Sequence, residues 1–210
     1  MKITKIQKRK NRRLYDIFVD EELSFSVSSK KIIHKFGLEQ GSMFQPDEFD
    51  AIKKEIELCE AEMILINYLK YRFRSKKEIL QKLKLKKFSQ STIDIVVQKY
   101  EKKGFINDEN FAESLMIDLI SKRPQGAYAI KQKLRQKGIS HEVIQRLEEE
   151  YLTTEAEYDM AKRELSKRKN RFMKYEGMER RNKALAFLQR KGFSYSIARE
   201  CVEEILFSEE

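Results

Sequence analysis

Two prolines and seven glycines in 210 residues leave little material for a β-sandwich or a glycine-rich nucleotide cradle. Both need residues that punctuate turns or accept positive φ, so their scarcity favours helices joined by short connections. Cysteine and histidine are as rare, at two each. Cys59 and Cys201 lie in helical apolar patterns without metal-ligand spacing and read as small buried residues of a reducing compartment. His34 falls in a short amphipathic stretch and His141 follows an N-cap, so neither reads as a ligand or a base. No run approaches 18 uncharged apolar residues, which argues against a transmembrane helix. The opening MKITKIQKRKNRR is charged but lacks an apolar h-region, so it does not read as a signal peptide. A P-loop, a dinucleotide glycine pattern, a metal cluster and a Ser-His-Asp or Cys-His constellation are all missing. The expectation is a cytoplasmic protein that is not an enzyme and carries no metal or cofactor.

Charge is what the chain has in abundance, with 37% charged residues and a net charge of +10. Its distribution is uneven. Residues 61–106 hold 12 Lys and Arg against 4 Asp and Glu, and residues 162–191 hold 12 against 3. Between them, residues 107–154 hold 7 against 8. Two basic surfaces around a near-neutral middle suit contact with a polyanion, although solvated helix faces account for part of such a pattern.

The first segment alternates with period two. The stretches 3–10, 12–19 and 23–28 read as a three-stranded antiparallel meander. Ser28 is positioned to cap a short helix through Phe36, stopped by Gly37, and Pro46 with Asp47 starts a helix over 47–58.

From Ala61 onward the chain repeats. A shift of 51 aligns Ala61 with Ala112, Arg72 with Arg123, Ile79 with Ile130, Leu83 with Leu134 and Tyr100 with Tyr151. A shift of 54 carries Leu134 to Leu188 and Lys137-Gly138-Ile139-Ser140 to Lys191-Gly192-Phe193-Ser194. The third copy needs about five extra residues within RKNRFMKYEGMERRNK to place its first helix at Ala161 and Leu165. Each copy reads as three helices. In the first, helix one covers 61–73, Ser75 and Glu78 form a capping box, and helix two covers 76–86. Ser89, Ser140 and Ser194 each stand where they cap helix three, and Gly138 and Gly192 suit a left-handed stop just before it. Copy one has Lys87 at that position, so its turn is expected to be a little strained or differently shaped. Thr154 and Glu157 read as another capping box, and Asp108 with Glu109 as dipole and cap groups.

The fold class is therefore mainly α: tandem three-helix repeats, helix-turn-helix-like, with a small N-terminal β-meander plus helices. The expected divisions are 1–60 for the meander and its helices, then 61–106, 107–153 and 154–210 for three repeats.

The stretches YLKYRFRSKKEILQKLKLKKFS (68–89), KGFINDENFAESL (103–115), KRPQGAYAIKQKLRQKGIS (122–140) and LQRKGFS (188–194) resemble the RecX family, regulators of the RecA recombinase. ITKIQ (3–7) and KFGLEQG (35–41) resemble the N-terminal part of Gram-positive-type members, so the likeness spans nearly the whole chain. Lys87 replaces the family's usual glycine, and Gln125-Gly126-Ala127 shortens its glycine-rich loop. The resemblance implies a bent array of helical modules that contacts RecA–single-stranded DNA filaments, opposes filament growth, and represses recombinase, ATPase and coprotease activity. It places such a protein in DNA recombination, DNA repair and the SOS response.

Independently of that likeness, the second helices carry Lys and Arg but few Asn or Gln groups arranged to read bases. Such cations neutralise phosphates without reading sequence. The first row is Arg72, Arg74, Lys76, Lys77, Lys82, Lys84, Lys86 and Lys87. The second is Arg123, Lys131, Lys133, Arg135 and Lys137, and the third is Arg180, Arg181, Lys183, Arg190 and Lys191. The expected partners are a RecA filament and single-stranded DNA, with double-stranded DNA as a further sequence-independent target, and the protein is expected to be a monomer. The competing reading is a sequence-independent DNA-binding protein with no dedicated protein partner.

Overall fold

Period-two alternation at the start of the chain does produce a sheet. The computed structural model describes residues 1–10 and 14–207, and the strands are β1 (Ile3–Lys8), β2 (Tyr15–Val19) and β3 (Glu22–Val27). They pair antiparallel in the order β1-β2-β3, with Ile6 opposite Ile17 and Ile17 opposite Phe25. Arg12 and Arg13, expected to open the second strand, lie outside the described residues. The β2–β3 turn uses Asp20 and Glu21, both at positive φ (48° and 73°), which matches the twist of a tight hairpin at some steric cost. Side chains offset part of that cost: the Lys2 amide donates to Asp20 and the Glu21 amide donates to Thr4 Oγ1, each at 3.0 Å.

The chain divides into two compact units, Met1–Arg72 with Ile79–Ile106, and Phe73–Glu78 with the residues from Asn107 onward. In the first, helix α1 (Lys30–Lys35) is capped by Ser29 rather than by Ser28. The Ser28 amide instead donates to Glu60 at 2.5 Å, which removes Ser28 from the capping position. Helix α2 runs unbroken from Pro46 to Leu69, where the sequence suggested one helix over 47–58 and another over 61–73. Its Phe49 and Ile56 close a core with Ile3, Ile17, Val27, Ile32 and Leu38. Its Ala61 and Leu65 enter a separate core with Ile79, Leu83, Ile93, Val97 and Tyr100. Two apolar faces on one continuous helix hide the division at residue 60, because a helix needs no break to change partners. Helices α3 (Lys76–Leu85) and α4 (Gln90–Lys102) complete this core. Glu57 of α2 accepts from the Ser89 amide (2.7 Å), the Ser89 hydroxyl and Thr92 Oγ1 (both 2.9 Å), reinforcing the Ser89 cap of α4.

The second unit contains α5 (Asp108–Ser121), α6 (Ala127–Gln136), α7 (His141–Tyr151), α8 (Thr154–Ser166), α9 (Lys169–Phe172), α10 (Gly177–Arg190) and α11 (Tyr195–Phe207). One core runs through all of it, from Phe111 and Met116 through Leu134 and Leu165 to Leu188 and Leu206. Repeats two and three therefore share an interior, as stacked repeats do. The extra residues of the third copy form α9.

The stops behave as their residues dictate. Gly138 and Gly192 sit at φ +83° and +88°. Ile139 and Phe193 donate back to Leu134 and Leu188 at 3.2 Å, closing the six-to-one bond of a Schellman cap. Lys87 takes the same left-handed position at φ 63° in the first copy, a strained place for a residue with a Cβ.

Candidate nucleic-acid interface

Helix-two entry is built from caps. Ser75 is fully buried; its hydroxyl accepts from the Glu78 amide (3.2 Å) and its amide donates to Glu78 (3.4 Å), a true capping box. Asp108 accepts from the Lys76 amide at 2.7 Å, while Asn107 caps α5 through the Glu109 and Asn110 amides. The same device recurs one repeat later, where Glu157 accepts from the Ala127 amide at 2.9 Å at the start of α6. This corrects the expected Thr154–Glu157 box: Thr153 caps α8, and Glu157 turns away from its own helix start. In both cases an acid just inside the next repeat satisfies the N-terminus of the previous second helix.

Helix-two exit carries the cations. In the first row, Lys84, Lys86 and Lys87 are exposed, and Lys82 lies half-buried with its ammonium 5.5 Å from the Tyr68 ring centre. Arg72 and Lys77 are exposed, and Arg74 and Lys76 are half-buried. In the second row, Lys131 pairs with Glu148 (2.5 Å) and Lys137 with Glu78 (2.6 Å). Arg135 and Arg123 are exposed. Lys133 is half-buried, and burial together with the nearby charges of Arg123 and Lys191 holds its pKa below the usual lysine value. That repulsion locates a cationic cluster where the start of α6 meets the turn after α10. The Gly126 amide donates to the Lys191 carbonyl at 3.0 Å. A Cβ on Gly126 would fall 2.1 Å from the Gly192 carbonyl carbon, so only glycine permits this approach.

The third row is largely consumed internally. Arg180, expected to meet a partner, is instead turned inward. Only 8% exposed, it donates to the Tyr175 carbonyl (2.9 Å) and the Leu206 carbonyl (3.2 Å) and covers the Phe207 ring at 5.3 Å. Arg181 pairs with Glu203 (2.7 Å), Lys183 with Glu179 (3.5 Å), and Lys191 with Glu164 (3.2 Å). Arg190 is exposed and makes no ion pair among the described residues.

Against known proteins, the match is consistent along the chain. The RecX N-terminal domain description fits residues 1–45, and the first, second and third RecX three-helix domains fit 64–99, 107–146 and 155–202. Regulatory protein RecX of Listeria monocytogenes is 31% identical over 97% of this chain and 76% of its own length. The chain belongs to the RecX family. The Staphylococcus saprophyticus RecX is 28% identical over 99% of the chain and 76% of its own. A crystal structure of regulatory protein RecX superposes with a TM-score of 0.67 at 27% identity, covering 100% of this chain and 99% of that one. RecX from Lactobacillus salivarius gives 0.64 at 27%, covering 71% and 96%. A regulatory role follows from this membership.

This RecX chain also has cations that the row pattern missed. Glu164 is buried and gathers Lys167, Arg168 and Lys191. Burial alone would raise its pKa, but the Lys191 bond and the charges of Arg168 and Lys167 prevail and hold it below the usual carboxylate value. Arg168 also lies 4.9 Å over the Phe187 ring. The signal for Arg168 was only its i,i+4 spacing from Glu164, which a solvated helix face shows equally. Among the described residues, no group of three or more His, Cys, Asp or Glu is placed to hold a metal, and no helix is long and apolar enough to cross a membrane.

Proposed function

We propose that this chain binds the RecA filament on single-stranded DNA and restrains its recombinase, ATPase and coprotease activity, as a cytoplasmic, non-catalytic regulator. One observation carries the reading. Lys84, Lys86 and Lys87, then Lys133 and Arg135, then Arg190 stand in or just past the last turn of the second helix of every repeat. All six are without an ion pair among the described residues. Cations there complement the helix dipole, but that contributes only about 0.3–1 kcal/mol each and does not require them to stay unpaired. Unpaired cations recurring with a repeat suit a repeating polyanion, whose phosphates release counterions on contact. Weak contacts from linked modules add through effective concentration. The decisive experiment titrates the protein against RecA's DNA-dependent ATPase and strand exchange. Inhibition at concentrations comparable to RecA is expected, and no effect there overturns the reading. The same cations equally suit bare DNA, which is the second reading; steeply salt-dependent binding without preference for RecA-coated DNA would favour it.

A further inference from the structure

The α9 insertion has no counterpart in the first two repeats, and it creates a cleft. Between α9 and α10 lies a cavity of about 710 Å³ lined by Arg171, Tyr175, Asn182, Lys183, Phe187 and Arg190. Ala186 forms part of its wall, and Glu179, paired with Lys183, closes one edge. Positions 182, 183, 186, 187 and 190 follow helical spacing, so α10 presents them as one stripe. The Phe187 ring is half-buried, braced by Phe172 at 5.7 Å and by Arg168. The Tyr175 ring carries the Lys183 ammonium at 4.3 Å. Arg171 and Arg190 are exposed and unpaired among the described residues. Rings fixed in a wall, an amide beside them and two unspent guanidinium groups match the chemistry of one unit of a nucleic-acid strand. A base has a flat face for the rings and polar edges for Asn182, and its flanking phosphates suit Arg171 and Arg190. An acidic peptide would use the cations but bring no flat face to the rings, whose cation and ring contacts among the described residues are Lys183, Arg168 and Phe172.

We propose that this cleft holds one unstacked nucleotide of single-stranded DNA, with the base against Tyr175 and Phe187 and the phosphates at Arg171 and Arg190. The proposal rests on the reading that the chain meets single-stranded DNA, and it adds a base-binding pocket to backbone contacts that read only charge. It is tested with short oligothymidylate and an abasic oligomer of equal length, followed by fluorescence anisotropy. Ala186→Trp fills the cleft without changing charge, and is expected to weaken oligothymidylate binding roughly tenfold while leaving the abasic oligomer's affinity unchanged. The exposed pair Arg171→Gln and Arg190→Gln, which does not touch the core, is expected to flatten the salt dependence for both oligomers by about 1 in slope. Photo-crosslinking with an iodouracil-bearing oligomer should place the adduct on Tyr175 or Phe187. Unchanged oligothymidylate affinity in both variants, or adducts confined to other modules, overturns the cleft. An unmodified protein that ignores both oligomers yet inhibits RecA overturns the cleft and leaves the regulator reading standing. Equal weakening by RNA and DNA oligomers in Ala186→Trp supports the pocket and shows that it reads the base rather than the sugar.

Discussion

The first and third basic rows both lie in stretches rich in Lys and Arg, yet the structure treats them differently. In the first, Lys84, Lys86 and Lys87 project from the end of α3 without ion pairs among the described residues. In the third, Arg180 is buried with its guanidinium over the Phe207 ring, and Arg181, Lys183 and Lys191 are each matched with a carboxylate. Net charge over a window therefore overstates what a partner can meet. What decides it is whether the other helices of the same repeat supply acids: Glu203 and Glu164 face the third row from α11 and α8.

The sharpest way to break this contrast is Arg180→Ala, which leaves the Tyr175 and Leu206 carbonyls without their donor. A loss of about 2–4 kcal/mol is expected in denaturant melts, against less than about 0.5 kcal/mol for Lys84→Ala. Equal effects would show that the two rows are alike. Next in size is binding. The triple change Lys84→Glu, Lys86→Glu and Lys87→Glu is expected to lower the salt slope of single-stranded DNA binding by about 2 while the helical CD spectrum holds. Reversing Arg181 and Lys183 should weaken binding less, because their charges are already matched within the chain.

The turns give a smaller and purely structural comparison. Lys87→Gly relieves a left-handed lysine and should stabilise by roughly 0.5–1 kcal/mol. Gly138→Lys reverses the exchange and should cost more, since a Cβ there also meets Lys77 Cβ at 2.9 Å. Thermal melts of the two variants should move in opposite directions. The smallest expected effect is with pH. Glu164 has a folded pKa below its ordinary value, so its contribution is complete at neutral pH. It is lost as pH falls from the usual carboxylate range through the depressed value, where the unfolded chain binds the proton first. Glu164→Gln should flatten the acid limb of stability in that window, and an unaltered limb would show that Lys167, Arg168 and Lys191 do not hold the carboxylate charged.

Much of the repeat was readable from residues alone. The Ser75–Glu78 box, the Ser89, Ser140 and Ser194 caps and the Gly138 and Gly192 stops all stand where their spacing puts them. Each depends on atoms within a few residues along the chain. The misreadings share the opposite cause. Glu157 resembled a local cap partner but bonds Ala127, 30 residues away. The break expected near residue 60 vanished because α2 serves two cores, and periodicity records a buried face without naming what covers it. Of the candidate interface, the cations were legible as residue types, and their pairing was not.

The sequence by itself determined most of the helices, the Ser75, Ser89, Ser140 and Ser194 caps, the glycine stops, the threefold copying of a basic phrase, and the family. The caps and stops follow from interactions of three to five residues' reach, and the copying and the family from residue identities that need no folding to be seen. Only the tertiary structure decided which cations remain available. The partners of Lys131, Arg181 and Lys137 lie 17, 22 and 59 residues away, and packing alone brings such groups together. The α9–α10 cleft belongs to the same class, because its rings and guanidinium groups face one another only after the insertion has folded against α10.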